Sequence, residues 1–398
     1  MPPAPVPTPA TGNGAGSLLR LIRAGDAATR ADLARALGLS RSTVAQRVEA
    51  LLASGLIYET AERASTGGRP PTRLAFNADA GVVLVADLGA THSRLAVSDL
   101  SGTPLLELPL ELDIAGEPSA VLERVDDAFR ELRADARWSG RPVRGIGIGV
   151  PAPVAFATGQ PVSPPIMPAW DGFAIPRWFA DRYDAPVLVD NDVNIMALGE
   201  HRAHWRETEH FLFIKAGTGI GCGIIAGGAI HRGAQGAAGD IGHIRATYDE
   251  EVLCGCGNVN CLEAVAGGRA LARLLSRRGL DARNSRDVVR LVRAGEPEAV
   301  VAVREAGRAL GEVLAASVNL FNPSVIVIGG DLADAHEQLL AGIREVIFQR
   351  SPPLATQNLR TAPSRLGDRA GVTGAAIMVV EHVLAPDAVD RAIQAAAA

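Results

Sequence analysis

The stretch VVLVADLGATHSRLAVSDLSG, residues 82–102, sets the fold class. Val82 to Ala86 is an apolar run of strand length, far short of a bilayer crossing, and it continues through Asp87 into a turn at Gly89. A second strand follows at Arg94 to Ser98, and Asp99-Leu100-Ser101-Gly102 reads as a hairpin turn. An aspartate at the end of a buried strand, with Gly89 and Thr91 just beyond it, suits the orientation of a hydrated magnesium ion while the N–H groups of the turn meet phosphate. The theme returns twice. His210 to Lys215 is a strand leading into Ala216-Gly217-Thr218-Gly219-Ile220-Gly221-Cys222-Gly223, whose glycines let backbone approach an anion, and Gly329-Gly330 follows the strand Val325 to Ile328. Strands that end in glycine turns, separated by helical stretches such as Pro118 to Arg137 and Val300 to Phe321, predict a two-lobed α/β domain with a nucleotide-sized cleft.

Two other stretches supply polar chemistry. Val187 to Asn194, VLVDNDVN, is a strand that ends in carboxylates and amides where a helix begins. Asp192 at that junction is placed to accept a proton from a sugar hydroxyl, and Asn191 to hold a neighbouring one. Helix capping by the same residues is the competing reading, and spacing leaves both open. Asp240 to Glu263, DIGHIRATYDEEVLCGCGNVNCLE, gathers three of the chain's four cysteines. Gly255 and Gly257 let the chain fold tightly enough for Cys254, Cys256 and Cys261 to converge, and His243 offers a fourth ligand to a tetrahedral zinc ion. Four protein ligands leave no open position, so the zinc is expected to be structural. It would clamp the loop that carries Asp240 and Glu263, two carboxylates suited to bonding hydroxyl groups. Small buried cysteines beside an unrelated histidine would be the plainer alternative.

At 398 residues and 47% hydrophobic, the chain is long enough for two or three domains with their own cores. Its net charge of −5 hides an asymmetry: residues 1–75 hold nine arginines against five acidic residues, and the remainder holds 30 basic against 39 acidic. A basic head on an acidic body fits a nucleic-acid-binding module joined to a domain of another kind. Residues 1–16 read as a disordered tail without the positive start or apolar run of a secretory signal. Cysteines grouped at metal-ligand spacing agree with a reducing compartment, so a cytoplasmic protein with no membrane span is expected.

Within the head, residues 17–78, Ser17 is the expected N-cap of a first helix ending near Gly25. Thr29 caps a second helix, which Gly38 closes, and a third opens at Ser40. Val44, Val48, Leu51 and Leu52 recur at helical spacing, leaving Arg41, Ser42, Thr43, Gln46 and Arg47 on the early, outward face to meet bases and phosphates. Strands at Gly55 to Glu59 and Thr72 to Phe76, with Ser65 to Pro71 between them, complete a winged helix-turn-helix whose tip would set Arg69 in a minor groove. One such module buries little surface, so a homodimer or homotetramer on paired half-sites of double-stranded DNA is implied.

The motifs DLGATHSRLAVSDLSG, GIGIGVPAP, VDNDVN, GTGIGCGI, GDIGH, CGCGNVNCLE and VIGGD together resemble the ROK family of repressors, open reading frames and sugar kinases. The resemblance covers nearly everything after residue 80, and the winged helix in front is the arrangement of the family's regulators. It implies an actin-like or hexokinase-like domain over 80–390, with lobes meeting near 190–200 and the C-terminal helix, Gly371 to Leu384, returning to the first lobe. It also implies zinc on His243, Cys254, Cys256 and Cys261, and sugar contacts from Asn191, Asp192, Asp240, His243 and Glu263. In a kinase member Asp192 would be the catalytic base. ATP and magnesium, where used, would lie against Asp87, Gly89, Thr91, Gly217, Thr218, Gly219, Gly329 and Gly330.

The chain departs from the family pattern at several positions. Ala90-Thr91-His92 stands where Gly-Thr-Lys is more usual, Cys222 and Asn260 replace glycines, Ile166 replaces a sugar-binding asparagine, and Asp240 replaces a glutamate. These changes imply a ligand bound unlike plain glucose or N-acetylglucosamine and a chain that no longer phosphorylates it. The expected function is sugar-responsive transcriptional regulation, most simply repression of carbohydrate genes, with an ATP-dependent sugar kinase bearing a DNA-binding head as the alternative. Trp170, Trp178 and Trp205 are expected in the core, and residues 387–398 as a tail or frayed helix.

Overall fold

The computed structural model describes residues 14–60, 72–90, 92–248, 250–335 and 337–397. Residues 1–13 of the expected tail, Arg69 of the expected wing tip and Thr91 lie outside them. The head is built from α1 (Ala15–Ala24), α2 (Arg30–Leu37), α3 (Arg41–Ala53) and an antiparallel pair, β1 (Ile57–Thr60) on β2 (Arg73–Phe76), in register from Ile57↔Phe76 to Thr60↔Arg73. Its helix ends have local causes. Gly25 and Gly38 take left-handed φ values of 78° and 65°. The Thr29 side chain accepts from Asp32 N, and that of Ser40 from Thr43 N. Val44, Val48 and Leu51 pack inward on Leu18, Leu19 and Leu33, while Leu52 is only partly buried.

The start of α1 differs from expectation. Gly14, not Ser17, is the N-cap, and Ser17 is buried within the first turn. The orphan N–H of Gly16 is satisfied from far along the chain, by Asp390 Oδ1 at 2.9 Å. This needs a bare backbone at residue 16, because a Cβ there would stand 2.2 Å from Pro386 O.

The first lobe holds β3 (Val82–Leu88), β4 (Ser93–Asp99), β5 (Pro104–Leu110), α4 (Pro118–Arg133) and β6 (Val143–Val150). A small hairpin of β7 (Val154–Ala155) and β8 (Gln160–Pro161), α5 (Ile175–Ala180) and β9 (Val187–Asn191) complete it. Its sheet runs β5-β4-β3-β6-β9, antiparallel through the first three strands and parallel across β3, β6 and β9. α6 (Asp192–His204) then crosses to the second lobe of β10 (Phe211–Ala216), β11 (Ile220–Ala226), β12 (Ala229–Ile230), α7 (Leu262–Ala266), α8 (Gly268–Arg277), α9 (Ser285–Arg293) and α10 (Pro297–Phe321). β13 (Val325–Gly329), α11 (Glu337–Arg350), α12 (Pro353–Thr356) and β14 (Arg360–Pro363) follow. This sheet runs β12-β11-β10-β13-β14 with the same alternation of antiparallel and parallel pairs. The two lobes thus repeat one design. The turn after β3 and the turn after β10 occupy equivalent places, and both open on the cleft.

The lobes are joined by α6 and α13 (Ala370–Val383), which cross at close quarters. A Cβ on Gly374 would lie 1.7 Å from Ile195 O, and one on Gly199 would lie 2.3 Å from Ala370 O. Glu200, fully buried in α6, accepts from Ser364 Oγ and from the backbone N–H groups of Arg365 and Leu366. α13 packs on β3 and β6, and α6 reaches β10 and β11, so these two helices couple both sheets. Where a tail or frayed helix is expected over residues 387–398, the chain forms α14 (Pro386–Ala397), a helix that lies against α1. One hydrophobic core therefore runs from Leu18, Leu33 and Val48 of the head, through Val389, into Val83, Val85 and Val379 of the first lobe. Among the described residues no single helix is long and apolar enough to cross a membrane.

Candidate functional site

Between the lobes lies a cleft of about 1130 Å³, somewhat above the usual range of ligand pockets and roomy for a sugar with a second group beside it. Its floor is set by the end of β9 and the start of α6. Asn191 is the N-cap: its Oδ1 accepts from Val193 N and Asn194 N, and its Nδ2 donates to Ala152 O at 3.0 Å. Asp192 takes no part in the cap. Its buried carboxylate accepts instead from Lys215 Nζ, 2.5 Å away on β10. The two open readings thus divide, Asn191 serving the helix end and Asp192 facing the cleft, where both line the wall. Asp190 is tied by Asn191 N, Asn194 Nδ2 and the Arg232 guanidinium, which also stacks on Phe156. Asn194 Oδ1 is left buried without a partner.

Asp87, next to last in β3, stands beside this floor in a niche that only glycine permits, since a Cβ on Gly371 would stand 1.8 Å from its Oδ2. Burial, reinforced by the nearby Asp192 charge, pushes the Asp87 carboxyl up to about 7, while Lys215 and Arg94 oppose the shift. Lys215 feels burial in the other direction, yet Asp192 and Asp87 outweigh it and hold its ammonium above the ordinary range.

The glycine turns stand above. Gly89 N donates to His92 O, and Gly330, at φ 83°, lies close under Ala216. Gly217, Thr218 and Gly219 form a tight turn with Gly217 N on Gly219 O, while the start of α8 donates from Gly268 N and Arg269 N to the carbonyls of Gly217 and Thr218. Gly89, Gly217, Thr218, Gly219 and Gly330 all face the cleft, whereas Gly329 lines a smaller neighbouring hollow. Glu263, in the first turn of α7, sets its carboxylate against the 217–219 turn, and a Cβ on Gly219 would meet its Oε2 at 2.5 Å. Asp240 is exposed at the cleft edge and caps nothing through its side chain. Cys222 is buried and its thiol is pushed up to about 12 by burial, which leaves it a packing residue. Trp170 is fully buried and donates from its indole to Ile114 O, so it stiffens the 163–170 loop from below, while Ile166 lines the cleft. Trp205 is buried as well, and Trp178 partly so.

His243, Cys254, Cys256 and Cys261 come together at one side, their four ligand atoms all within 4.8 Å of one another. Cys254 Sγ is 3.6 Å from His243 Nδ1, and Cys256 Sγ is 3.6 Å from Cys261 Sγ. A tetrahedral zinc ion with bonds of about 2.0–2.3 Å spaces its ligands roughly 3.3–3.8 Å apart, so the residues fit one. The loop is preshaped by backbone bonds from Cys254 N to Asn258 O and from Gly257 N to Cys254 O. The Asn258 N–H beside it lowers the Cys256 thiol to about 7. Asn260, at φ 57°, adopts the left-handed conformation that asparagine tolerates, and its side chain accepts from Val252 N at 2.7 Å and donates to Tyr248 O. Asn260 therefore forms the left-handed turn and adds a side-chain clasp across the loop.

On the head, Arg41, Ser42 and Gln46 are exposed along the early face of α3, with Thr43 and Arg47 half-buried. Arg41 makes no ion pair among the described residues. Arg30 braces this helix by pairing with Glu49 and with Glu59 of β1.

A profile of the ROK family matches residues 83–382, and one for winged helix-turn-helix DNA-binding domains matches 17–58. The chain belongs to the ROK family. A putative xylose repressor of Caldicellulosiruptor sp. (strain Rt8B.4) is 31% identical over 374 residues, covering 90% of this chain and 93% of its own. The crystal structure of a ROK family transcriptional regulator, a homologue of the Escherichia coli MLC protein, superposes with a TM-score of 0.80 at 26% identity, over 95% of this chain and 98% of that one. A ROK family glucokinase from Streptomyces griseus, solved with glucose and AMPPNP, has a TM-score of 0.63 at 31% identity, over 75% of this chain and 99% of that one. The kinase thus corresponds to the ROK domain alone.

Sequence reasoning missed the most distinctive side chain of this ROK cleft. In the sequence Lys215 reads only as the end of a strand, although it is the sole lysine among 39 lysine and arginine residues. That rarity was the available signal. The Asp190–Arg232 pair had none, because its partners lie 42 residues apart.

Proposed function

We propose that the protein is a sugar-responsive DNA-binding transcriptional repressor in which sugar bound between the lobes changes the DNA affinity of the head. The observation that carries this reading is the single hydrophobic core linking head and first lobe through α14 and α13. The cleft floor begins α6, α6 crosses α13, and α13 leads into α14 against α1. A shift of the lobes therefore has a packed route to the recognition helix, and two winged helices in a homodimer or homotetramer would change half-site spacing together. The full-length likeness to a xylose repressor and to a ROK regulator supports the same reading.

In the cleft, Asp192, Asp240 and Glu263 supply acceptors for sugar hydroxyls and Asn191 a donor. His243, Cys254, Cys256 and Cys261 would hold zinc, which would make the loop rigid. With Nδ1 committed to the cysteine side, His243 keeps Nε2–H to offer a hydroxyl. Arg41, Ser42, Thr43, Gln46 and Arg47 would face the major groove, and Arg69 the minor groove.

The test is fluorescence anisotropy of the full-length protein on duplex DNA selected from a random pool, with and without D-xylose, D-glucose and N-acetyl-D-glucosamine. At least one sugar should shift DNA affinity by about 5–150-fold, the usual span of coupling between two sites. Equal affinity with every sugar would end this reading. A second reading, a sugar kinase using Asp192 as base with magnesium and ATP on the glycine turns, is favoured by the retained turns and by the glucokinase likeness. Release of ADP in the presence of a bound sugar would establish it.

A further inference from the structure

Lys215 is singular in sequence and in position. Every other cationic side chain of the ROK domain that bears a fixed charge is arginine, yet the one at the cleft floor is lysine. It lies on an otherwise buried strand, and its neighbours on both sides, Gly221 and Gly329, have no side chains to compete for space. The repeated design of the lobes makes its location more telling. Lys215 is the penultimate residue of β10, just before the glycine turn, and Asp87 is the penultimate residue of β3, just before the other. Asp87 is paired across the sheet with Gly149 as Lys215 is with Gly329. One lobe thus presents a carboxylate and the other an ammonium from equivalent places, with Asp192 bonded to the ammonium at the start of α6.

Two acidic groups facing one space call for a cation. In a nucleotide-using cleft that cation arrives as magnesium with its phosphates. Here a compact point charge on a flexible stem already meets Asp192 and neighbours Asp87, where the broad planar head of arginine would need a wider opening. The residues present therefore do not fit a metal-nucleotide at this floor. We propose that Lys215 is a built-in counter-ion that takes the place of the magnesium–nucleotide, so that the cleft is electrostatically complete for sugar alone. Asp192, ion-paired with Lys215, accepts a hydrogen bond from a sugar hydroxyl with its counter-ion already in place. Lys215 acts through Asp192 and is a positioning residue. This inference rests on the reading of the cleft as a sugar site.

The probe is manganese(II) with AMPPNP, followed by the electron paramagnetic resonance of free manganese on the full-length, zinc-loaded protein. Wild type should leave the metal-nucleotide free, with and without D-xylose, D-glucose or N-acetyl-D-glucosamine. Lys215→Met, which keeps length and loses charge, should gain manganese binding at least tenfold tighter than wild type, and adding Asp192→Asn should abolish the gain. A merely structural lysine would not produce a metal site that a second substitution removes. Tight uptake of manganese–AMPPNP by wild type would overturn the proposal whatever the variants do, as would a folded Lys215→Met that gains nothing. Failure of all three sugars to bind wild type would instead fell the sugar reading, and the manganese result would still decide the role of the lysine.

Discussion

At the scale of single residues, the zinc loop carries the sharpest expectation. Its four ligand atoms lie within 4.8 Å of one another, two pairs of them at 3.6 Å, and Cys256 is the exposed member of the set. Cys256→Ser should lower zinc affinity by more than about 100-fold, the upper end of what losing even a supporting, non-ligand partner costs. Mass spectrometry of metal content after dialysis checks it, and stoichiometric zinc in the variant would remove Cys256 from the ligand set. The cysteine cluster was legible because C-x-C-x4-C has few other uses in a chain with four cysteines. Asn260 was legible only as a departure, since φ 57° and the clasp on Val252 emerge from the folded loop. Asn191 and Asp192, adjacent in sequence, could not be told apart until the sheet brought Lys215 to one of them.

At the scale of elements, local rules placed most boundaries, because caps and left-handed glycines act within a few residues. Thr29, Gly38 and Ser40 mark their helix ends as the sequence predicts. The misreadings are those whose cause lies far away: α1 is capped by Asp390, and α14 buries Val389 only because α1 is there to cover it. The α6–α13 crossing was equally hidden, since Gly199 and Gly374 look like ordinary weak points of a helix. Their bareness allows backbone contact. Gly374→Ala would set a methyl group 1.7 Å from Ile195 O and 2.8 Å from Gly199 N, atoms of a helix that cannot yield by turning a side chain. The cost should reach at least about 3 kcal/mol, the top of the usual range for over-packed cores. At about 2–4 °C per kcal/mol, a melting curve should show a clear fall. An unchanged midpoint would mean that the two helices do not approach this closely.

At the scale of the whole molecule, the question is how a cleft at the start of α6 is felt at the recognition helix α3. No side chain spans the distance. The connection is the packed series α6, α13, α14 and α1, reinforced by Arg202 on Glu381 between the first two and by Asp390 on Gly16 between the last two. Coupling through such a series requires that the head move with the lobe, and that depends on the contact of α1 with α14. Gly16→Val tests this without touching the cleft or the DNA face, because its Cβ would collide with Pro386 O at 2.2 Å and lever α1 away. The variant should bind sugar with wild-type affinity in calorimetry and should still bind DNA, since Leu18 and Leu19 keep their partners on α2 and α3. The shift in DNA affinity caused by sugar should shrink toward none. A Gly16→Val protein whose DNA affinity responds to sugar as fully as wild type would show that the message passes between subunits instead of through the helix that closes the chain.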